Sequence, residues 1–346
     1  MSTQQRLVSL DIFRGITIAM MILVNNPGSW TQIYWPLAHA KWHGWTPTDM
    51  VFPFFLWISG VAMTLSLARR KADGADLGKL ALHALRRGAT IFALGLLLNL
   101  IPNFDFANVR IPGVLQRIGI CYCLATLIYL YTSRRGQIIA AISLLGIYLA
   151  IMLWLPFPAA TPDRWSMESN AARYIDGIVL EGHMWRQTKV WDPEGALSTL
   201  PAIATVLCGI LTTQYLRTGV MLAIAGLLAS LVVPINKALW TPSFVLLMAG
   251  LASVMYGLLR WWIDEKGHRD GWKFFEIYGT NSIVSFVLSG MVARILSMTG
   301  NSKILYEQLC NIASPINASL LYALLNVAFC FMVVYVLYRK KILVRL

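Results

Sequence analysis

The chain has 346 residues, of which 57% are hydrophobic and only 13% charged. This composition excludes an ordinary soluble domain, because one core cannot bury so much apolar surface, whereas a lipid bilayer solvates it directly. The formal net charge of +13 does not indicate a nucleic-acid-binding protein, since the lysines and arginines cluster at the ends of apolar runs, which is the pattern of membrane orientation.

Ten apolar segments are long enough to be spanning helices, which need roughly 20 residues each. The sequence therefore predicts an all-α polytopic membrane protein with about ten transmembrane helices. The predicted segments are approximately 8–25, 50–68, 83–101, 112–132, 137–155, 197–216, 219–235, 242–263, 274–297 and 317–338. No repeat or low-complexity linker divides them, which predicts a single transmembrane domain over residues 1–346.

Basic residues mark one side of the predicted membrane domain. They follow or precede several apolar segments as Arg69, Arg70 and Lys71, then Arg134 and Arg135, and finally Arg339, Lys340, Lys341 and Arg345. The positive-inside rule places these ends, and both chain termini, in the cytoplasm. The long connection at about 156–196 is then extracytoplasmic, and a connection of this length is expected to be functional.

The first predicted span contains polar residues that are costly in lipid. Asp11 and Arg14 are three residues apart on one helical face near the cytoplasmic end, so they are expected to pair with each other or to serve a ligand. Asn25 lies at the other end, shortly before Pro27 and Gly28, which end the helix. Its amide is expected either to cap the helix or to hold a substrate carbonyl.

The segment HAKWHGWT (residues 39–46) places two of the five histidines between two predicted spans. His39 and His43 are four residues apart, but this spacing without a third ligand does not define a zinc site, and no metal is predicted. Histidine can move protons near neutral pH, and a carboxylate can orient its ring. Asp49 follows just before the next apolar run, so His39 and Asp49 are candidate catalytic residues.

Further polar side chains lie within or beside later spans. Gln116 and Arg117 are one turn inside the fourth span, where an arginine is expected to face a polar interior, a carboxylate or an anionic ligand. Asp192 and Glu194 precede a helical segment and are expected to interact with its N-terminus. Asn281 lies in the ninth span, where an amide can bridge two helices or contact a ligand.

Five motifs together resemble the transmembrane acetyltransferases of the heparan-α-glucosaminide N-acetyltransferase family, in particular its short bacterial members. They are LDIFRG, HAKWHGWTPTDMVFPFFLWISG, RIPGVLQRIG, DPEGALSTLPAI and PINKALWTPSFVL, in this order along nearly the whole chain. The resemblance implies transfer of an acetyl group from cytosolic acetyl-CoA across a bacterial inner membrane to the amine of glucosamine or a terminal glucosaminide. It also implies a homodimer as a possible assembly.

The resemblance places the catalytic histidine of the H-A-x-W-x-G motif on His39 and implicates Asn25 with it. His39 is then either a general base for the acceptor amine, oriented by Asp49, or a nucleophile that carries the acetyl group. His43 stands where the family is expected to have asparagine, which leaves its contribution open.

The candidates for binding acetyl-CoA, the only co-substrate expected besides the sugar, are Arg14, Asn281, Gln116 and Arg117. The phosphates of CoA are anionic and the cytoplasmic face is basic, which suits Arg14 near that face. Arg110 and Arg117 start at the outer side, where they are expected instead to shape the tunnel or the acceptor site. Two alternatives remain open: an amino-sugar transporter, and an acyltransferase acting on another envelope glycan.

Overall fold

A computed structural model of the protein describes residues 7–212 and 214–344. Thirteen α-helices form nearly all of the regular structure in these ranges, and no β-strand occurs in them. In chain order the helices are α1 (Val8–Asn25), α2 (Val51–Ala72), α3 (Leu77–Leu100), α4 (Val114–Tyr131), α5 (Arg134–Trp154), α6 (Ala171–Val179), α7 (Thr199–Leu211), α8 (Tyr215–Ala229), α9 (Pro242–Arg260), α10 (Lys273–Thr280), α11 (Ser282–Met298), α12 (Asn301–Cys310) and α13 (Pro315–Arg339). The all-α polytopic prediction is confirmed.

The number of full-length spans is lower than the ten predicted. In the described part of the chain, seven helices are long and apolar enough to cross a membrane, and the bent pair α10 and α11 makes up to eight. Helices α7 and α8 have only 13 and 15 residues, which at ~1.5 Å per residue falls short of a ~30 Å hydrocarbon core. Hydropathy finds these apolar segments but does not show where the chain turns within them.

The ninth predicted span is two helices. Helices α10 and α11 meet at Asn281 with an angle of 85°. Asn281 has φ −128° and ψ 46°, which is outside the helical region. The bend therefore sits on the polar residue that the sequence places inside an apolar run.

Local capping explains helix boundaries that hydropathy alone misses. Asp76 accepts hydrogen bonds from the backbone N–H groups of Gly78 and Lys79, so α3 begins six residues before the predicted segment. Asn170 accepts from the N–H of Arg173 and starts α6 inside the long loop. Both residues act as N-caps, which satisfy N–H groups that have no partner within the helix.

Contacts between Cα atoms group the chain into two compact units. The first contains residues 7–40, 46–55 and 255–344 of the described chain. In this unit the backbones of α1 and α10 are in direct contact. A Cβ atom added to Gly15 would lie 1.8 Å from the carbonyl oxygen of Phe275, and a Cβ added to Gly279 would lie 1.9 Å from the carbonyl oxygen of Asp11. Small residues allow such close helix packing in membranes.

The second unit contains residues 41–45 and 56–254, apart from residue 213. Its segment 41–45 is tied to the loop before α9, since the Gly44 N–H donates to the Ile235 carbonyl at 2.8 Å. The buried Tyr148 of α5 donates its hydroxyl to the Leu239 carbonyl at 2.7 Å in the same loop. The long loop 156–196 and helix α6 belong wholly to this unit.

Two predictions about organisation are not tested by these helices. The single domain over residues 1–346 stays a prediction. So does the cytoplasmic position of both termini, because residues 1–6 and 345–346, including Arg345, lie outside the described residues.

Candidate active site

A 3-10 turn at Pro47–Met50, in the first unit, builds the frame of the candidate site. Thr46 is its N-cap, and proline occupies the first position, where its missing N–H has no helical partner to lose. The Thr46 backbone N–H donates to Asp49 Oδ2 at 3.0 Å, and the Thr46 hydroxyl lies 3.1 Å from the same oxygen. This reciprocal capping box fixes the Asp49 carboxylate within the turn.

Asp49 also contacts the loop that precedes the turn. Its Oδ1 is 2.7 Å from His39 Nδ1, and its Oδ2 accepts a hydrogen bond from the Ala40 backbone N–H at 3.0 Å. The Asp49 side chain is 1% exposed and that of His39 41%. These partners satisfy the carboxylate, as a buried charge requires. The structure thus brings together His39 and Asp49, as the sequence predicts.

The contact sets the tautomer of His39. A carboxylate only accepts hydrogen bonds, so the imidazole proton lies on Nδ1 and the lone pair on Nε2. The ring is held by a buried partner on one side and is partly exposed. An oriented imidazole with its lone pair on the outer nitrogen is suited to take a proton from a substrate amine.

The two asparagines at the end of α1 have different environments. Asn25 is exposed, whereas Asn26 is buried and its Nδ2 donates to the Ile22 carbonyl at 2.7 Å and to the Ser289 hydroxyl at 3.2 Å. Asn25 is not a member of the His39–Asp49 hydrogen-bonded pair. Its assignment to the catalytic site stays a prediction.

Arg14 and Asn281 lie near the junction of α1, α10 and α11. Arg14 Nη1 is 3.3 Å from Asp11 Oδ1 and 3.4 Å from the Gly279 carbonyl oxygen, which confirms the predicted ion pair. The buried Asn281 amide donates to the Ile342 carbonyl at 3.0 Å and accepts from the backbone N–H of residue 344 at 2.9 Å. Asn281 therefore ties the helix bend to the segment after α13, and acetyl-CoA binding by either residue stays a prediction.

Gln116 and Arg117 are buried in the second unit. Arg117 Nη2 donates to the Gly195 carbonyl at 3.1 Å and to the Ser198 hydroxyl, and its guanidinium lies 5.2 Å from the centre of the Trp240 ring. Within the described ranges, Arg117 Nε and Nη1 and Gln116 Nε2 have no hydrogen-bond partner. Arg117 thus faces polar groups, as predicted, and ligand binding by Gln116 or Arg117 stays a prediction.

Asp192 and Glu194 bind an arginine rather than the end of α7, which begins at Thr199. Arg110 Nη2 is 2.6 Å from Asp192 Oδ1 and 2.5 Å from Glu194 Oε2. Burial disfavours the charged form of Arg110, but the two carboxylates outweigh burial and raise its pKa above the ordinary value. The expected interaction with a helix N-terminus is therefore wrong, because an ion pair between distant segments takes both carboxylates.

His43 and Trp42 lie in the second unit. His43 Nδ1 is 3.4 Å from Asn236 Nδ2. The Trp42 Nε1–H donates to the Trp165 carbonyl at 2.8 Å. These contacts anchor the middle of HAKWHGWT to two other segments of this unit.

Sequence reasoning missed the residues that hold Asp49 in place. Thr46 and the Ala40 backbone both bond to it, and neither was singled out. The Thr46-x-x-Asp49 spacing is a capping-box pattern, so the Thr46 contact was detectable from the sequence. The Ala40 contact has no side-chain signal.

Comparison with known proteins gives matches to one family. Residues 6–164 match a family model described as "Heparan-alpha-glucosaminide N-acetyltransferase, catalytic". A mouse (Mus musculus) heparan-alpha-glucosaminide N-acetyltransferase is 27% identical over 355 residues, which covers 83% of this chain and 53% of the mouse protein. The human (Homo sapiens) protein of the same name is 27% identical over 406 residues, covering 97% of this chain and 59% of the human one. The chain thus spans little more than half the length of these relatives.

Proposed function

Since the chain belongs to the heparan-alpha-glucosaminide N-acetyltransferase family, we propose that it is an acetyl-CoA-dependent transmembrane N-acetyltransferase. Acetyl-CoA on the cytoplasmic side is the donor, and the amine of glucosamine or of a terminal glucosaminide on the opposite side is the acceptor. The observation that carries this proposal is the His39–Asp49 contact of 2.7 Å. It falls within the residues that match the family's catalytic model.

In the proposed reaction His39 Nε2 is the general base. The neutral acceptor amine attacks the thioester carbonyl carbon, and its excess proton passes to Nε2 as the C–N bond forms. The C–S bond then breaks, and the CoA thiolate takes up the proton from the imidazolium. Asp49 accepts from Nδ1–H throughout and stabilises the transient positive charge on the ring.

Asn25 is proposed to donate to the oxyanion that develops on the thioester carbonyl. It is exposed at the end of α1, so its amide is accessible to a substrate. A well-placed donor of this kind contributes about 3–4 kcal/mol to stabilising the transition state.

Acetyl-CoA is proposed to bind from the basic side of the membrane domain. Arg14 is 23% exposed at the first turns of α1, and its guanidinium suits a phosphate. Arg117 and Gln116 supply buried donors that have no partner in the described chain. These donors suit the polar amides of the pantetheine arm.

The test is acetyl transfer from labelled acetyl-CoA to glucosamine by purified protein in detergent. We compare the wild type with His39→Ala, and use His83→Ala as the matched control, because His83 is an exposed histidine on α3. We expect product from the wild type and His83→Ala and none from folded His39→Ala. If His39→Ala turns over as fast as the wild type, His39 is not the general base. If the wild type neither binds acetyl-CoA nor forms product, the proposal that the chain is an acetyltransferase is wrong.

An experiment without the acceptor sugar distinguishes direct transfer from a mechanism with an acetylated enzyme intermediate. Rapid quenching followed by intact-protein mass spectrometry detects an added acetyl group. General-base catalysis predicts no acetylated protein before glucosamine is added. An acetyl group on His39 at this stage would show that the histidine is a nucleophile instead.

A further inference from the structure

Helix α6 in the long loop has apolar side chains on more than one side. Ala171 and Ala172 are buried and pack into the second unit, whereas Tyr174, Ile178 and Val179 are 38%, 64% and 63% exposed. A helix that is apolar all round is normally surrounded by apolar groups. With nine residues, or about 14 Å, α6 is too short to cross a membrane, so its outer side needs another apolar surrounding.

Helix α6 lies beside the end of a membrane-spanning segment. It packs in one apolar cluster with Tyr148 and Met152 of α5, a helix of 21 residues that is long and apolar enough to cross a membrane. Trp154, the last residue of α5, is 76% exposed, and tryptophan is enriched at the boundary between lipid and water. The outer side of α6 is therefore level with the last turns of a span, where lipid surrounds the protein.

A surface cleft of about 420 Å³ lies beside α6 in the same unit. Tyr174 and Ile178 of α6 line one wall, and Phe157, in the segment after α5, lines another. The Phe157 and Tyr174 rings stack with their centres 5.7 Å apart and their planes 24° apart. Arg164 holds the second wall, because it donates to the Leu155 carbonyl at 3.0 Å and its guanidinium lies 5.4 Å from the centre of the Phe157 ring. The volume is within the range of roughly 300–1,000 Å³ that is typical of small-ligand sites.

Charged side chains of both signs also line this cleft. They are Glu168, Glu181, Arg173 and Lys189. In the described part of the chain, the side chains of Glu168, Glu181 and Lys189 have neither hydrogen-bond nor ion-pair partners. Arg173 Nη1 donates to the Met167 carbonyl at 3.3 Å, which fixes the position of its guanidinium. A complementary ligand therefore carries both signs of charge and an apolar part that contacts α6.

A zwitterionic phospholipid has this chemistry. Its phosphate suits arginine and lysine, its ammonium group suits carboxylates, and its acyl chains suit the apolar outer side of α6. A primary ammonium has three N–H donors for the carboxylates, whereas a trimethylammonium group has none. A purely anionic headgroup leaves Glu168 and Glu181 without a partner of opposite charge.

We propose that the cleft beside α6 binds a zwitterionic phospholipid whose headgroup ends in a primary ammonium, as in phosphatidylethanolamine. Arg173 and Lys189 bind the phosphate, Glu168 and Glu181 accept hydrogen bonds from the ammonium, and Ile178 contacts an acyl chain. This lipid site belongs wholly to the second unit and does not depend on the proposed acetyl transfer.

The test is native mass spectrometry of the purified protein in detergent. The protein is titrated with phosphatidylethanolamine, phosphatidylcholine or phosphatidylglycerol of identical acyl chains. The double variant Glu168→Gln/Glu181→Gln removes both carboxylates at exposed positions, and Ile178→Ser removes the apolar contact. Glu307→Gln is the matched control, because Glu307 is 62% exposed on α12 and does not line the cleft.

We expect the wild type to bind phosphatidylethanolamine about tenfold more tightly than either other lipid, the effect of one hydrogen bond to a charged group at a partly exposed site. The double variant should bind phosphatidylethanolamine and phosphatidylcholine equally, and Glu307→Gln should keep the wild-type preference. Ile178→Ser should weaken the binding of both lipids about three- to tenfold, because it loses part of an apolar contact, and leave the preference unchanged.

Equal wild-type affinity for phosphatidylethanolamine and phosphatidylcholine, or tighter binding of phosphatidylglycerol, would overturn the proposal. So would a double variant that keeps the preference, or a Glu307→Gln variant that loses it. Free glycerophosphoethanolamine carries the same headgroup without acyl chains and should not displace the lipid at equal concentration. If it does, the ligand is a soluble phosphate compound and the lipid proposal is wrong.

Discussion

Asp49→Asn is the substitution that probes the candidate site most sharply. Asparagine keeps the shape of the side chain, so its carbonyl can still accept from the Ala40 and Thr46 N–H groups that now lie 3.0 Å from Asp49 Oδ2. Its NH2 group then faces His39 Nδ1, now 2.7 Å from Asp49 Oδ1. Because an amide NH2 only donates, Nδ1 must become the acceptor and the ring proton moves to Nε2. The variant is predicted to remove the base without removing the histidine.

The expected loss can be bounded. A hydrogen bond to a charged group contributes about 1.5–3 kcal/mol, which corresponds to about 10- to 150-fold in rate. Reversal of the tautomer adds to this, and in a serine-protease triad the same substitution lowers kcat by about 10⁴. We therefore expect kcat to fall by about 10² to 10⁴, while the KM for acetyl-CoA changes little.

The assay is the initial rate of acetyl transfer, with the thermal midpoint of each variant measured in the same detergent. Thr48→Val is the matched control: Thr48 is equally buried in the same turn, and its hydroxyl bonds only to the Pro36 carbonyl at 3.1 Å in the described chain. It should lower stability without lowering kcat. The double variant with His39→Ala should be no slower than His39→Ala alone, since the two residues act as a unit. If folded Asp49→Asn keeps a third or more of the wild-type kcat, the assignment of Asp49 is refuted.

Two further predictions concern packing and protonation. Gly15→Ala should lower the thermal midpoint, because its Cβ would lie 1.8 Å from the Phe275 carbonyl oxygen and overpacking costs about 1–3 kcal/mol. Gly146→Ala is the control and should not lower the midpoint, because a Cβ at Gly146 has nothing within 4 Å. Equal midpoints for the two variants would contradict the close packing of α1 against α10. Burial raises the pKa of Asp176 from 3.8 to about 6, against the opposing hydrogen bond from the Ala196 N–H. The folded chain thus keeps this proton to a higher pH than the unfolded chain, so the stability it contributes is present below about pH 4 and lost as pH rises to about 6. Between pH 4 and 7 the free energy of unfolding of the wild type should fall by about 2–3 kcal/mol relative to that of Asp176→Asn, as measured by denaturant unfolding. If the difference in unfolding free energy between the two proteins does not vary with pH, the prediction is wrong.

The apolar segments were predictable because lipid solvation requires long hydrophobic runs. All ten predicted segments fall on helices in the structure. Hydropathy does not show where a helix bends or ends inside an apolar segment. The bend at Asn281 and the short lengths of α7 and α8 were therefore not predicted. The polar Asn281 was visible in the sequence, but its partners are backbone groups 61 and 63 residues away. No local pattern specifies such contacts.

In the candidate site and the second unit, contacts between residues close in the sequence were predictable, whereas contacts between distant residues were not. The His39–Asp49 contact joins residues ten apart, and the Thr46–Asp49 bonds join residues three apart, so spacing and capping chemistry suffice to predict them. The Arg110 ion pairs with Asp192 and Glu194 join residues 82 and 84 apart. Such pairs depend on how the segments pack together, which is why local reasoning assigned the two carboxylates to a nearby helix end.

Local and long-range contacts should respond differently to substitutions that disturb helix packing. The orientation of His39 depends on a proline-led turn, its cap and one backbone N–H, all between residues 39 and 50. A pair held by contacts between residues this close in the sequence depends little on how distant helices pack. Arg14 and Asn281, two of the residues proposed to bind acetyl-CoA, lie on α1 and at the bend between α10 and α11, so their geometry depends on how these helices of the first unit pack. Substitutions that disturb packing, such as Gly15→Ala, should therefore change the KM for acetyl-CoA before they change the protonation chemistry of His39.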